Sequence, residues 1–281
     1  MEPSEAPINS ASVLIRPISG WVPINLRDSW EYRELLYFLT WRDIKVRYKQ
    51  TALGVIWVVL QPLLLMLIFT LFFGRLVGVP SDGIPYSIFT YSALLPWQFF
   101  SRALNDASVS LVANERIITK TYFPRILVPV SAVLSSLVDF MIGLGALIGF
   151  LLVHGVQPGF AILALPGFVL LAIIAALGVS FWLAALNVVY RDVRYLLPFL
   201  TQVWMFATPI IYPVSVIPEG WRFLYGMNPM AGVVEGFRSS LLGKASSFDA
   251  MLGVSAMIAA GVFIGGLFYF RKVEQTLADV I

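Results

Sequence analysis

Arg102, Asp106 and Asp139 are charged residues that interrupt the long apolar runs of this 281-residue chain. Ionised groups at such depth are costly, and they gather at polar pathways, at ion relays or in mutually paired structural contacts. Arg102 and Asp106 are spaced i, i+4, so on a helix they share a face and can neutralise each other. That pair stands either at the mouth of a polar pathway or inside a packed bundle. Asp139 is alone in its run. It either serves a pathway or accepts hydrogen bonds from hydroxyls of neighbouring helices.

Other chemistries are poorly provided for. Cysteine is absent, which removes disulfides, thiolate nucleophiles and thiolate metal ligands. His154 is the only histidine, so no site within one chain can use two of them, and neither a catalytic nor a metal-binding set is expected. The segment closest to a phosphate-binding loop runs from Gly236 through Gly243 to Lys244 and Ala245. It has six residues between its glycines rather than four, and Ala where Ser or Thr would hold magnesium. No nucleotide or other cofactor is therefore expected on this chain, and an enzyme is not indicated. One pair and one lone carboxylate are a thin basis for proton coupling. Any uphill movement of a solute would draw its energy from another subunit.

The elements that position these residues must lie in a membrane. The chain is 59% hydrophobic and 12% charged, against roughly 25% charged in a soluble domain. The expected fold class is an all-α polytopic membrane protein. It has six transmembrane helices, an N-terminal amphipathic interface helix, and re-entrant helices on the outer side between helices five and six. Residues 1–29 read as a polar arm without the apolar core of a signal peptide. Residues 30–50 read as the interface helix, 51–272 as the transmembrane domain and 273–281 as a cytoplasmic tail.

Within 30–49, Tyr37, Trp41, Ile44 and Tyr48 form one stripe, and Leu35, Leu39 and Val46 form another opposite it. Charged flanks between two apolar stripes suit a helix lying in the interface. The spans are expected at Leu53–Phe73, Tyr86 to about Ala113, Ile126–Val153, Phe160–Val188, Leu196–Tyr212 and Ala250–Phe270. Gln61-Pro62 should bend the first. Residues 114–125 form a short charged connector closed by Pro124. Small residues at Gly143, Gly145 and Gly149, and at Gly261, Gly265 and Gly266, offer faces for close helix packing. Fourteen of the 19 Lys and Arg fall on one side of this topology and four on the other. Positive charge gathers inside, so both termini are placed in the cytoplasm.

The stretch from Tyr190 to Gly243 is the most distinctive. A charged turn at Arg191, Asp192 and Arg194 precedes an uncharged run to Glu219, broken at Pro209, Pro213 and Pro218, with Pro229 beyond. The apolar turns around Trp221 and Val234–Arg238 are too short and polar to cross alone. They read as segments at 213–247 that dip back from outside, where protein or water shields the broken backbone.

Three quoted segments resemble one family. They are LLYFLTWRDIKVRYKQTALGVIWVVLQPLLLMLIFTLFFGRL at 36–76, ALLPWQFFSRALNDASVSLVANERIITKTYFPRILVPVS at 93–131, and YRDVRYLLPFLTQVWMFATPIIYP with MNPMAGVVEGFR. They are similar to the membrane subunit of ABC-2 type transporters that export O-antigen, capsule or teichoic acid. The resemblance covers about Trp30 to Arg271. It implies a homodimer in the inner membrane, paired with two cytosolic ATPase subunits that bind ATP and magnesium, and moving undecaprenyl-linked glycan between the two permeases. No nucleic acid enters this picture.

By position the resemblance makes 114–124 the coupling helix, with Glu115, Arg116, Lys120 and Tyr122 facing the ATPase, assisted by Arg42 and Arg47 of the interface helix. Trp57, Trp204, Phe206 and Tyr212, with Arg102 and Asp106, would line the translocation path. Trp221, Tyr225 and Phe237 would form the outer gate. Sugar rings present apolar faces that stack on aromatic rings, so such a path lets a glycan slide. An ABC-2 permease for drugs or small lipids, and an ATPase-independent carrier or scaffold, are the alternatives.

Overall fold

The computed structural model describes residues 30–49, 54–156, 159–243 and 250–274. The polar arm, the tail beyond residue 274 and the end of the expected re-entrant segment lie outside them. Among the described residues the regular structure is entirely helical.

Helix α1 (Arg33–Tyr48) buries Leu39 and packs Tyr32, Leu35 and Leu36 against Ile118, Phe123, Leu127 and Phe181. Tyr37 and Trp41 stack on each other on its exposed side, as a two-sided helix requires. Val46, expected beside Leu35 and Leu39, is exposed. At that end the inward contacts are polar instead, made by Asp43 and Arg47.

Helix α2 (Gly54–Phe69) runs on as a π-helical stretch over Thr70–Val77. Its outward face is apolar and open: Ile56, Trp57, Leu64 and Phe72 are all exposed. Gly74 lets the Tyr86 ring approach so closely that an added Cβ would sit 2.8 Å from its Cγ.

Helix α3 (Tyr86–Ala113) is the centre of the bundle, with Ile88 to Phe100 buried almost without a break. At 28 residues it is about 42 Å long. Its Ser, Thr, Asn and charged residues make it less apolar than its neighbours, because it meets protein rather than lipid. A six-residue helix, α4 (Glu115–Lys120), joins it to α5 (Leu127–Val153). A 3-10 turn over Phe160–Ala164 then leads into α6 (Leu165–Val189).

Helix α7 (Val193–Phe206) stops six residues short of the expected Tyr212. Pro209 disfavours helical backbone at Thr208, so the chain leaves the helix in turns at Ala207–Ile210. Two shorter helices follow, α8 (Glu219–Gly226) and α9 (Pro229–Leu242), before α10 (Ala250–Glu274). The apolar core joins α3, α5, α6 and α9, with α10 packed along α6.

Among the described residues four helices are long and apolar enough to cross a membrane: Gly54–Val77, Leu127–Val153, Phe160–Val189 and Ala250–Glu274. Helix α3 matches them in length but not in composition, and α7 falls short in length.

Candidate translocation and coupling site

Two polar centres interrupt the apolar bundle, at opposite ends of α3. The first gathers charges from three helices. Arg47 of α1 bonds Asp106 of α3 at 2.6 Å and Asp139 of α5 at 2.5 Å. Arg102 of α3 reaches the same Asp139 oxygen at 2.5 Å, and its other amino group meets Gln61 Oε1 of α2 at 3.3 Å. The Tyr48 phenol donates to the second Asp139 oxygen. Burial, and then this hydrogen bond to a carboxylate, push the Tyr48 phenol above its usual range.

Asp139 is only 4% exposed. A buried carboxylate is tolerable there because each of its oxygens has a charged or hydroxyl donor. The expected Arg102–Asp106 pair along α3 gives way to pairing between helices: Arg102 takes Asp139 and Asp106 takes Arg47. The spacing permitted the local pair, but Asp139 and Arg47 bring charge from other elements. Arg47, expected at an ATPase surface, turns into the bundle, whereas Arg42 stays near the surface and bonds Asp43.

Beside this cluster lies a cavity of about 20 Å³, lined by Gln98, Arg102, Ser136 and Asp139 among apolar neighbours. That is room for roughly one water.

At the same end of the bundle α4 presents a charged surface. Its Ile118 is buried with Phe123 of the following turn, while Glu115, Arg116, Lys120 and Tyr122 are exposed. Tyr122 is 85% exposed. The chain beyond is clamped: the Arg125 backbone N–H donates to Glu274 Oε1 at 2.9 Å, and its guanidinium donates to the Glu274 carbonyl at 2.8 Å. A rigid seat thus holds an exposed short helix.

The second centre repairs the break after α7. Arg238 of α9, 3% exposed, donates to the Pro209 carbonyl at 2.8 Å and pairs with Glu235 at 2.9 Å. Its guanidinium lies 3.7 Å from the Phe89 ring centroid. Asn228 caps α9 through the Met230 N–H, accepts from Trp204 Nε1 at 3.0 Å and donates to Thr208 Oγ1 at 2.9 Å. Freed backbone groups in an apolar setting need such partners.

The expected path aromatics are divided. Trp57 and Phe206 are exposed on the open faces of α2 and α7. Trp204 packs edge-on against Phe100 at 5.1 Å. Tyr212 donates to the Phe206 carbonyl or to the Tyr225 hydroxyl, which lies 2.7 Å away. Of the expected gate residues, Trp221 is exposed, Tyr225 joins Tyr212, and Phe237 is fully buried against Phe140.

Asp139, Tyr48, Arg238 and Asn228 carry contacts that sequence reasoning did not assign. Asp139 was visible as a lone carboxylate whose partners lay on other helices. Arg238 reads from sequence only as an outer charge, although the prolines before it signal a broken helix in need of donors.

Residues 34–242 match the family model described as ABC-2 type transporter. The chain belongs to the ABC-2 type transporter family. Among its curated relatives, the O-antigen export system permease protein RfbA of Klebsiella pneumoniae is 29% identical over 251 residues, 88% of this chain and 95% of that one. RfbA of Myxococcus xanthus is 30% identical over 216 residues, covering 76% and 82%. The polysialic acid transport protein KpsM of Escherichia coli is 25% identical over 244 residues, covering 84% and 92%. The family match over residues 34–242 takes in both polar centres, α4 and the break after α7.

Proposed function

We propose that this chain is the permease subunit of an ATP-driven ABC exporter that carries polysaccharide across the cytoplasmic membrane. The observation that supports the reading is the extensive alignment with two O-antigen export system permease proteins and a polysialic acid transport protein, over 76–88% of this chain. The chain itself supplies membrane helices, an open apolar face on α2 and α7, and an exposed charged α4.

In the full reading α3 and α7, with the four apolar helices, make six spans. Both termini are cytoplasmic, α1 lies in the interface, and α8 and α9 are re-entrant. Two copies pair so that the open faces of α2 and α7 enclose the path, and two ATPase subunits holding ATP and magnesium dock at α4. The cargo is a glycan carried on undecaprenyl, whose sugars slide over exposed rings such as Trp57 and Phe206.

The docking part is tested by Arg116→Glu and Tyr122→Ala. Both residues are exposed and neither holds the bundle together. Each variant should insert normally and lose surface glycan by about ten-fold or more, as expected where a well-packed interface aromatic or arginine is removed. Undiminished export by both, measured as surface glycan per inserted protein, would sink the assignment of α4.

A further inference from the structure

We propose that Arg47 acts as an internal tie that makes α1, α3 and α5 move as one body when α4 is displaced, and that it does so without touching the ATPase. The proposal rests on the exporter reading above.

Helix α4 is the short link between α3 and α5, seated by Ile118 and Phe123. A pull on it can carry both helices together or spread them apart. Helix α1 is not adjacent to α4 in the chain and meets it through the apolar cluster of Leu39, Ile118 and Phe123. Its apolar hold on the bundle is concentrated in its first half, at Tyr32, Leu35, Leu36 and Leu39.

The second half of α1 is held by polar contacts. Ser131 donates to Asp43 at 3.3 Å, Tyr48 donates to Asp139, and Arg47 spans Asp106 of α3 and Asp139 of α5. A planar guanidinium can bond two carboxylates on different helices at once; a lysine ammonium is a compact point charge with weaker reach and geometry. Arg47 therefore closes the two helices that flank α4 and fastens α1 to both.

The same Asp139 continues the connection outward through Arg102 to Gln61, one turn from Trp57 on α2. The small cavity beside Arg102 gives that side chain space to shift. A displacement at α4 thus has a polar route to the open face of α2.

The test is Arg47→Lys in the assembled permease–ATPase complex in nanodiscs, reading ATPase co-purification, basal hydrolysis and glycan exported per ATP. The tie predicts intact assembly and near-normal basal hydrolysis, with export per ATP reduced about ten-fold, within the usual span of coupling energies. Asp106→Asn should act in the same direction, and the double variant should lose less than the sum of the two, because the Arg47–Asp106 bond is common to both.

Because the chain has no cysteine, spin labels at Lys45→Cys and Ala113→Cys give an independent reading of the α1–α3 distance. It should stay fixed on nucleotide trapping in the parent chain and change in Arg47→Lys. Wild-type export per ATP by Arg47→Lys, or additive losses, would overturn the tie. Loss of ATPase co-purification would instead return Arg47 to the ATPase surface. A parent complex that binds its ATPase but moves no glycan would refute the exporter reading and leave the label distances to judge the tie.

Discussion

Arg238 is the residue whose burial is hardest to justify without its partners. It replaces hydrogen bonds that α7 loses at Pro209, and its charge is met by Glu235 and the Phe89 ring. Glu235 is 35% exposed, so the main loss on removing the guanidinium is the buried Pro209 carbonyl left without its donor, at about 1–3 kcal/mol. Arg238→Met keeps much of the volume and should still lower stability by about 1–3 kcal/mol, since the Pro209 carbonyl is left without its donor. Thermal unfolding in detergent checks this, and an unchanged midpoint would mean that the guanidinium is not what holds the break. The sequence displayed the prolines but not the donor. An arginine at position 238 reads locally as an outer charge, and only the fold brings Pro209 and Phe89 to it.

At the scale of elements, helix packing here depends on which glycines face a neighbour. A Cβ on Gly266 would lie 2.5 Å from the Gly178 carbonyl oxygen, and one on Gly178 would lie 2.7 Å from the Phe263 nitrogen. Gly261, in the same apparent small-residue face, has nothing within 4 Å. Gly266→Ala should therefore push α6 and α10 apart and cost about 1–3 kcal/mol, whereas Gly261→Ala should be close to neutral. Paired unfolding midpoints separate the two, and equal effects would contradict the packing. Periodicity located the helices well, as at Tyr86–Ala113, because apolar runs and charged turns mark their ends. It could not tell Gly266 from Gly261, nor Gly143, which approaches Leu95, from Gly145 and Gly149, which approach nothing. The end of α7 was misplaced because the uncharged run continues past the point where Pro209 stops the helix.

Across the whole molecule, the charged surface of α4 and the inner charge cluster lie at one end of α3, and the repaired break lies at the other. In the proposed topology the first end faces the cytoplasm, the side that the distribution of Lys and Arg favours. On the cysteine-free background, Tyr122→Cys and Arg191→Cys should react with a membrane-impermeant maleimide only after the membrane is opened. Asp82→Cys and Trp221→Cys should react in intact spheroplasts. The opposite pattern would invert the topology. Residue types made the membrane class legible from the start. The inner cluster was not legible, because its four charges lie on three helices separated by up to 92 residues in sequence.

The central claim is that this chain moves glycan with energy supplied by a separate ATPase. It is tested most directly by ATP hydrolysis in nanodiscs holding the permease and its ATPase, with and without undecaprenyl-linked glycan. The account predicts a stable complex whose hydrolysis is stimulated by the glycan and not by small amphiphiles. Stimulation by drugs or simple lipids alone, or failure of the two subunits to associate, would contradict it.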